Sequence, residues 1–267
     1  MISSNKLHND FEQFVAHLNA QEGEIVFASS LGAEDVVIHH LLAQVKRPVR
    51  IITLDTGRVF PEVYSLIPKL EEKYNQKIEI VFPERSDVDE FVGKYGINGF
   101  YHSVEARKGC CQARKIKPLR RALAGAGAWI TGVRREQNDH RSTIEMKEDD
   151  TVFGLTKFNP LINWSQDDVW DFIRAQGIPY NPMHDRGFPS IGCQPCTRAV
   201  GEDEDPRAGR WWWECRNSGK AECGLHWNPE TGKAEATCKD RPHAAAAKKE
   251  EKPSLTKLQP VHFGAHW

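Results

Sequence analysis

Between positions 24 and 82, short runs of β-branched and aromatic residues alternate with stretches whose apolar positions recur at helical spacing. Glu24–Ala28 (EIVFA) reads as a strand that ends at the polar turn Ser29-Ser30-Leu31-Gly32. A helix follows through Val36, Val37, His40, Leu41 and Leu42. Val49–Leu54 (VRIITL) is a second strand closed by Asp55-Thr56-Gly57, and Pro61 sits where a helix begins. Ile78–Phe82 is a third strand. Strand and helix alternating in units of about 30 residues predict a parallel sheet with right-handed crossovers. Further on, Ala113–Leu123 reads as a basic helix broken or started by Pro118, and Ala128–Gly132 as a fourth strand. Ser165 with Asp167 and Asp168 is a helix-start signature ahead of Val169, Trp170, Phe172 and Ile173.

From about Pro182 this periodicity is lost, and Gly, Pro, Cys, Trp and charged residues dominate. Such a segment needs something other than apolar packing to hold it. Beyond Trp227 the chain turns polar, and His243–Pro253 is low-complexity. The expected division is therefore a domain over 1–227 and a polar, mobile tail over 228–267, with no internal repeat.

The chain has 267 residues, enough for one large α/β domain or two small ones, which excludes a peptide hormone or knottin. Lys+Arg 36 against Asp+Glu 37 leaves a net charge of -1, so no global field draws the chain to nucleic acid or to an anionic membrane. An anion site must be local. The N-terminus lacks a basic start and apolar h-region, and no window reaches the ~18 apolar residues of a membrane span. The expected compartment is the cytoplasm. Seven cysteines in a reducing compartment read as metal ligands or reactive thiols rather than as a disulfide framework.

Cys110-Cys111 and Cys193-Gln194-Pro195-Cys196 supply two close pairs, the stoichiometry of a Cys₄ site for structural zinc or an iron–sulfur cluster. Zinc sites draw their pairs from C-x₂₋₄-C knuckles, whereas a larger cubane accommodates adjacent ligands more easily. Cys223, in Glu222-Cys223-Gly224-Leu225-His226, has no second cysteine two residues away. A thiol beside a histidine and cations has the raised thiolate fraction that a nucleophile needs, although an inert cysteine satisfies the same pattern. Cys215 and Cys238 have no motif around them.

The turn Ser29-Ser30-Leu31-Gly32-Ala33-Glu34-Asp35 places hydroxyls, a glycine and a helix N-terminus at the end of a parallel strand, where open sheets bind anions. It matches neither of the glycine-rich phosphate fingerprints. Lys115, Arg134, Arg135, Arg141, Arg207 and Arg210 recur where a small, highly charged anion would be gripped. The run Trp211-Trp212-Trp213 lacks the interleaved basic residues of a single-strand nucleic-acid platform.

Together Cys110-Cys111, Cys193-x-x-Cys196, Gly209-Arg210-Trp211-Trp212-Trp213-Glu214 and Glu222-Cys223-Gly224-Leu225-His226 resemble the bacterial assimilatory adenylyl-sulfate (adenosine 5′-phosphosulfate, APS) reductases, over about residues 20–227. The resemblance implies a Rossmann-like, adenine nucleotide alpha-hydrolase-like α/β fold, its parallel-rich sheet flanked by helices and followed by a loop-rich C-terminal catalytic segment. It implies a [4Fe-4S] cluster on Cys110, Cys111, Cys193 and Cys196, and Cys223 as the nucleophile that leaves an S-sulfocysteine. Thioredoxin or glutaredoxin would then release sulfite. Lys115, Arg141, Arg207, Arg210 and His226 would neutralise the substrate's oxygens, with Arg134 a further candidate. Ser29, Ser30, Gly32, Glu34 and Asp35 match the family's modified pyrophosphate loop, and Leu54, Asp55, Thr56 and Gly57 its nucleotide-binding turn. The first loop departs from the commoner Ser-Phe-Ser-Gly-Ala-Glu-Asp, and the tail carries no Cys-x-x-Cys, so the reductant is expected to be a separate protein. A homo-oligomer is compatible with all of this. The rival readings are a 3′-phospho-APS (PAPS) reductase, an ATP-pyrophosphatase-type enzyme, and a non-catalytic Cys₄ zinc module.

Overall fold

The apolar runs of the first half become one side of a six-stranded sheet, from its edge to its centre. In a computed structural model that describes residues 4–137 and 143–214, the strands are β1 (Ile25–Ser29), β2 (Arg50–Leu54), β3 (Ile78–Val81), β4 (Ala128–Ile130), β5 (Lys147–Asp150) and β6 (Leu155–Phe158). The helices are α1 (Ser4–Ala20), α2 (Ala33–Leu42), α3 (Pro61–Tyr74), α4 (Arg85–Tyr95), α5 (Val104–Cys111), α6 (Lys117–Ala122) and α7 (Gln166–Ala175). The sheet order is β3-β2-β1-β4-β6-β5, parallel throughout except for β5, which runs antiparallel to β6. Strand order reverses between β1 and β4: the chain winds outward from β1 through β2 to β3, then returns to the other side of β1.

Burial of both faces explains why β1 and β2 read as nearly continuous apolar runs. Ile25 and Phe27 of β1, with Ile51 of β2, face the larger core, shared with Phe14 and Leu18 of α1 and with Val36 and Ile38 of α2. Their neighbours Val26 and Ile52 face the opposite way, onto Leu119 and Ala122 of α6 and onto Trp129. The side-chain period of two sorts alternate residues to the two faces. No helix among the described residues is long and apolar enough to cross a membrane.

Three differences from the sequence expectation have physical reasons. The helical stretch begins not at Ala113 but at Val104, where the Ser103 side chain accepts from Ala106 N, and Pro118 sits in the first turn of α6, as a helix-starting proline does. A π turn over Gln112–Ile116 precedes the proline, with Lys117 N donating to Gln112 O, so the rod widens just where Pro118 lacks an N–H. The antiparallel edge strand β5 has the sequence Lys-Glu-Asp-Asp, which carries no apolar signal. Finally, the segment after Pro182 does have an apolar anchor: Cys196 and Trp211 pack with Phe91, Phe100, Cys110 and Ala113 in a small separate cluster. The expected boundary at Trp227 and the tail 228–267 lie outside the described residues.

Candidate active site

A cavity of about 600 Å³ opens at the C-terminal ends of β1, β2 and β4, at the point where strand order reverses. This is where open α/β sheets bind ligands, and the volume lies within the usual range of small-molecule sites. Of the residues expected from sequence, Ser29, Ser30, Gly32, Glu34, Asp35, Leu54, Thr56, Lys115, Arg134, Arg207 and Arg210 line it, and Cys193 lines it beside them. Asp55 and Gly57 do not. The Asp55 carboxylate accepts from Gly57 N at 2.7 Å and from the Tyr64 hydroxyl at 2.8 Å, closing the turn from behind. Arg141, Cys223 and His226 lie outside the described residues, as do Cys215 and Cys238.

The loop after β1 is organised by its own side chains. Asp35 accepts from both Ser30 N, at 2.5 Å, and Ser30 Oγ, at 2.7 Å. The Ser29 hydroxyl accepts from Leu31 N at 3.2 Å and meets His39 Nε2 at 3.1 Å. These contacts hold Leu31 at φ 60, a left-handed conformation uncommon outside glycine. Burial pushes the Asp35 carboxyl up to about 7, against the two Ser30 hydrogen bonds that favour its charged form. At the N-terminus of α2, Gly32 offers no side-chain cap, so the first-turn N–H groups are directed at the loop's concavity. Gly132 at the end of β4 permits this approach: a Cβ there would stand 2.3 Å from Asp35 Oδ1.

Arg134 faces carboxylates. It is 4% exposed, and its Nε donates to Glu34 at 2.9 Å while its Nη1 reaches Glu136 at 3.1 Å. Gln137 Nε2 adds a third contact, to Glu34 at 2.8 Å. The pair ties the loop after β4 to the first turn of α2.

Cys193 brings the thiols to the cavity, where it alone of the four lines the site. Cys110 and Cys111 end α5, and Cys193 and Cys196 flank a short turn in which Cys196 N donates to Cys193 O at 2.9 Å. Thr56 links this turn to β2, its hydroxyl lying 3.2 Å from Cys193 Sγ. Gln194 N donates to Arg58 O at 2.8 Å, and Arg114 Nη1 to Thr56 O at 2.8 Å. Burial raises the Cys110 thiol, a nearby Cys193 raises it further, and Arg114 and Arg58 oppose both. Burial likewise pushes Cys196 up to about 12, helped by Cys193, Cys111 and Cys110. All four cysteines are free of disulfides, and their mutual influence marks them as neighbours. No three His, Cys, Asp or Glu side chains among the described residues converge on a single ion.

The tryptophan run is structural for the most part. Trp211 is buried and Trp213 meets Tyr101 edge-on at 4.5 Å, while Trp212 is the exposed member at 44%. Sequence reasoning missed Arg58, Arg107 and Arg114. Arg114 follows Cys110 by four residues, one helical turn, which is a signal that was there to be used. Arg107 and Arg58 act through partners distant in sequence and left none.

An open, mostly parallel sheet with its cavity at the switch point, and with Cys193 of a four-cysteine group on the cavity lining, defines a ligand-binding α/β protein. Residues 24–199 match the phosphoadenosine phosphosulfate reductase domain, and the chain belongs to that family. It is 52% identical over 202 residues to the adenosine 5′-phosphosulfate reductase of Allochromatium vinosum, covering 76% of this chain and 78% of that one. With the enzyme of the same name from Burkholderia cepacia the identity is 46% over 215 residues, covering 80% of this chain and 85% of that one. Among solved structures, phosphoadenylyl-sulfate reductase from Candida auris, in a phosphate complex, superposes with a TM-score of 0.60 at 24% identity, over 75% of this chain and 98% of that one. Candida glabrata FMN adenylyltransferase shares the fold at a TM-score of 0.52 and 13% identity, over 76% of this chain and 68% of that one.

Proposed function

We propose that this chain reduces adenosine 5′-phosphosulfate to sulfite and AMP in assimilatory sulfate reduction, in the cytoplasm. The observation that carries this reading is the site itself: a nucleotide-sized cavity whose walls hold both Lys115 and Cys193, in a chain about half identical to enzymes of that name.

The nucleotide occupies the switch-point cavity against the Ser29–Asp35 loop and the Leu54–Gly57 turn. Lys115, Arg207 and Arg210, with Arg141 and His226, neutralise the phosphate and sulfate oxygens as charge moves onto the leaving phosphate. The Cys223 thiolate attacks the sulfate sulfur; an S–S bond forms, the S–O bond to phosphorus breaks, and AMP leaves with the electron pair. The product is an S-sulfocysteine. A dithiol protein, thioredoxin or glutaredoxin, then attacks the Cys223 sulfur, and sulfite leaves with the S–S pair. The carrier's second thiol closes a disulfide and returns the Cys223 thiol, so both electrons come from the carrier.

Cys110, Cys111, Cys193 and Cys196 suit a [4Fe-4S] cluster. The donor set is four cysteines in two close pairs, and the adjacent pair Cys110-Cys111 fits the separated irons of a cubane more easily than a single zinc ion. When bound, the cluster supplies a cross-link between α5 and the Cys193–Cys196 turn and a fixed charge beside the cavity.

The test is anaerobic purification with iron, sulfide and zinc analysis, followed by assay of thioredoxin-dependent sulfite release from APS and from PAPS. About four irons per chain and a strong preference for APS support the reading. Equal or better use of PAPS shifts the substrate, and zinc without sulfite release from either nucleotide overturns the proposal.

A further inference from the structure

Arg107 lies on α5, one turn before Cys110, and is 3% exposed. Its Nε donates to Glu214 at 2.5 Å, and its guanidinium lies 4.4 Å from the centre of the Trp211 ring. The Arg210 guanidinium lies over the same ring at 4.9 Å. Arg210 lines the cavity and is pressed against the bare backbone of Gly192, where an added Cβ would stand 2.1 Å from Nη2. Trp211 itself is 2% exposed, held at φ 45, and donates from its backbone N to Cys196 O at 3.1 Å.

Two guanidinium groups on one indole repel each other unless one is compensated. Glu214 compensates Arg107, so the ring can also hold Arg210 through its π face. Stability is a poor reason for this arrangement. A buried ion pair rarely outperforms apolar residues of similar volume, and Arg107 Nη1 has no partner among the described residues. What the arrangement does accomplish is to fix Arg210 at the seam between the thiol wall and the cavity.

We infer that Arg107 is a positioning residue for substrate binding: with Glu214 and Trp211 it sets where Arg210 presents its charge to the anionic end of the ligand. The inference rests on the proposed APS reading. It places a requirement for binding on a side chain of the thiol-bearing helix that does not line the cavity.

A double-mutant cycle tests it in a Cys223→Ser background, which does not consume the ligand, using calorimetric titration of the iron-loaded full chain with APS. Arg107→Met should weaken APS binding about tenfold with iron content unchanged, and should add little further weakening in an Arg210→Met background, because the two act through one another. Glu214→Gln, which leaves Arg107 in place but uncompensated, should weaken APS in the same direction and be equally silent once Arg210 is replaced. Additive losses, or unchanged affinity in the single variants, would overturn the inference. If Arg107→Met fails to retain iron, Arg107→Lys carries the test, since it keeps the charge but loses the flat stack. A wild-type chain that binds no APS counts instead against the proposed substrate.

Discussion

The two walls of the cavity are built by different physics. The loop wall grows out of the sheet: β1, β2 and β4 bury both faces, and Ser29, Thr53 and Thr131 stand at the ends of those strands. The thiol wall combines α4, α5 and the π turn with loop segments around Phe100, Cys193 and Trp211. It is held by a small aromatic cluster, by cations on rings and by contacts between residues far apart in sequence. The first wall has a rigid apolar support, and the second has a support that a bound metal group would complete. Damage to the second should therefore be local, and damage to the first should be felt as fold stability.

The largest expected effect is at the proposed nucleophile. Cys223→Ser should abolish sulfite release while iron content and affinity for AMP stay at wild-type levels; sulfite production at the wild-type rate would remove Cys223 from the mechanism. Cys193→Ala should cost the iron, because metal binding and local order are coupled, and it also removes the contact with Thr56. Far-ultraviolet dichroism of that variant should still report the sheet. Its loss would mean that the two walls fold as one.

Asp35 sharpens the contrast on the loop side. Its folded pKa, about 7, lies above the ordinary 3.8, so the folded state holds the proton more tightly than the unfolded chain. Its contribution is complete below about pH 4 and is lost as pH rises through about 7, an effect of up to ~4 kcal/mol. Denaturant titrations from pH 4 to 8 should show wild type falling relative to Asp35→Asn across that window, and parallel curves would contradict the assigned burial. The smallest effect is expected at Gly132→Ala, where the methyl would meet Asp35 Oδ1 and force the α2 N-terminus away from β4. A loss of roughly 1–3 kcal/mol in chemical denaturation is expected, with weaker nucleotide binding.

The same contrast governs what could be read from sequence. β1, β2 and β3 were legible to within a residue: β1 and β2 are largely buried apolar runs, and β3 keeps the β-branched signal of Ile78, Ile80 and Val81 although Glu79 and Ile80 are exposed. The start of α7 was legible because Ser165 and Asp168 form a reciprocal cap, Ser165 N donating to Asp168 at 2.8 Å and Asp168 N to Ser165 Oγ at 3.1 Å. β5 was not, since its acidic residues are placed by pairing with β6 and by the Glu148–Lys157 contact at 2.8 Å. In the site, the cysteine pairs and the Ser29–Asp35 loop announce themselves by local spacing. The links that arrange them do not: Thr56 meets Cys193 across 137 positions and Arg107 meets Glu214 across 107. Arg134, grouped in sequence with the anion-gripping cations, is absorbed by Glu34 and Glu136, which only the folded arrangement of β4 against α2 reveals.

The wide turn at Gln112–Ile116 has a consequence for how this helix tolerates change. A π turn closes over one more residue than an α turn, so the rod from Val104 to Ala122 carries a surplus residue between its thiol end and its core-packing end. Removing one residue there would shift Lys115 relative to Cys110 and Cys111 and would leave Pro118 in a regular α-helical interior, where its ring meets the carbonyl four residues back. The wide turn thus reconciles the proline with the thiol end of the rod, and length as well as residue identity is part of what this helix encodes.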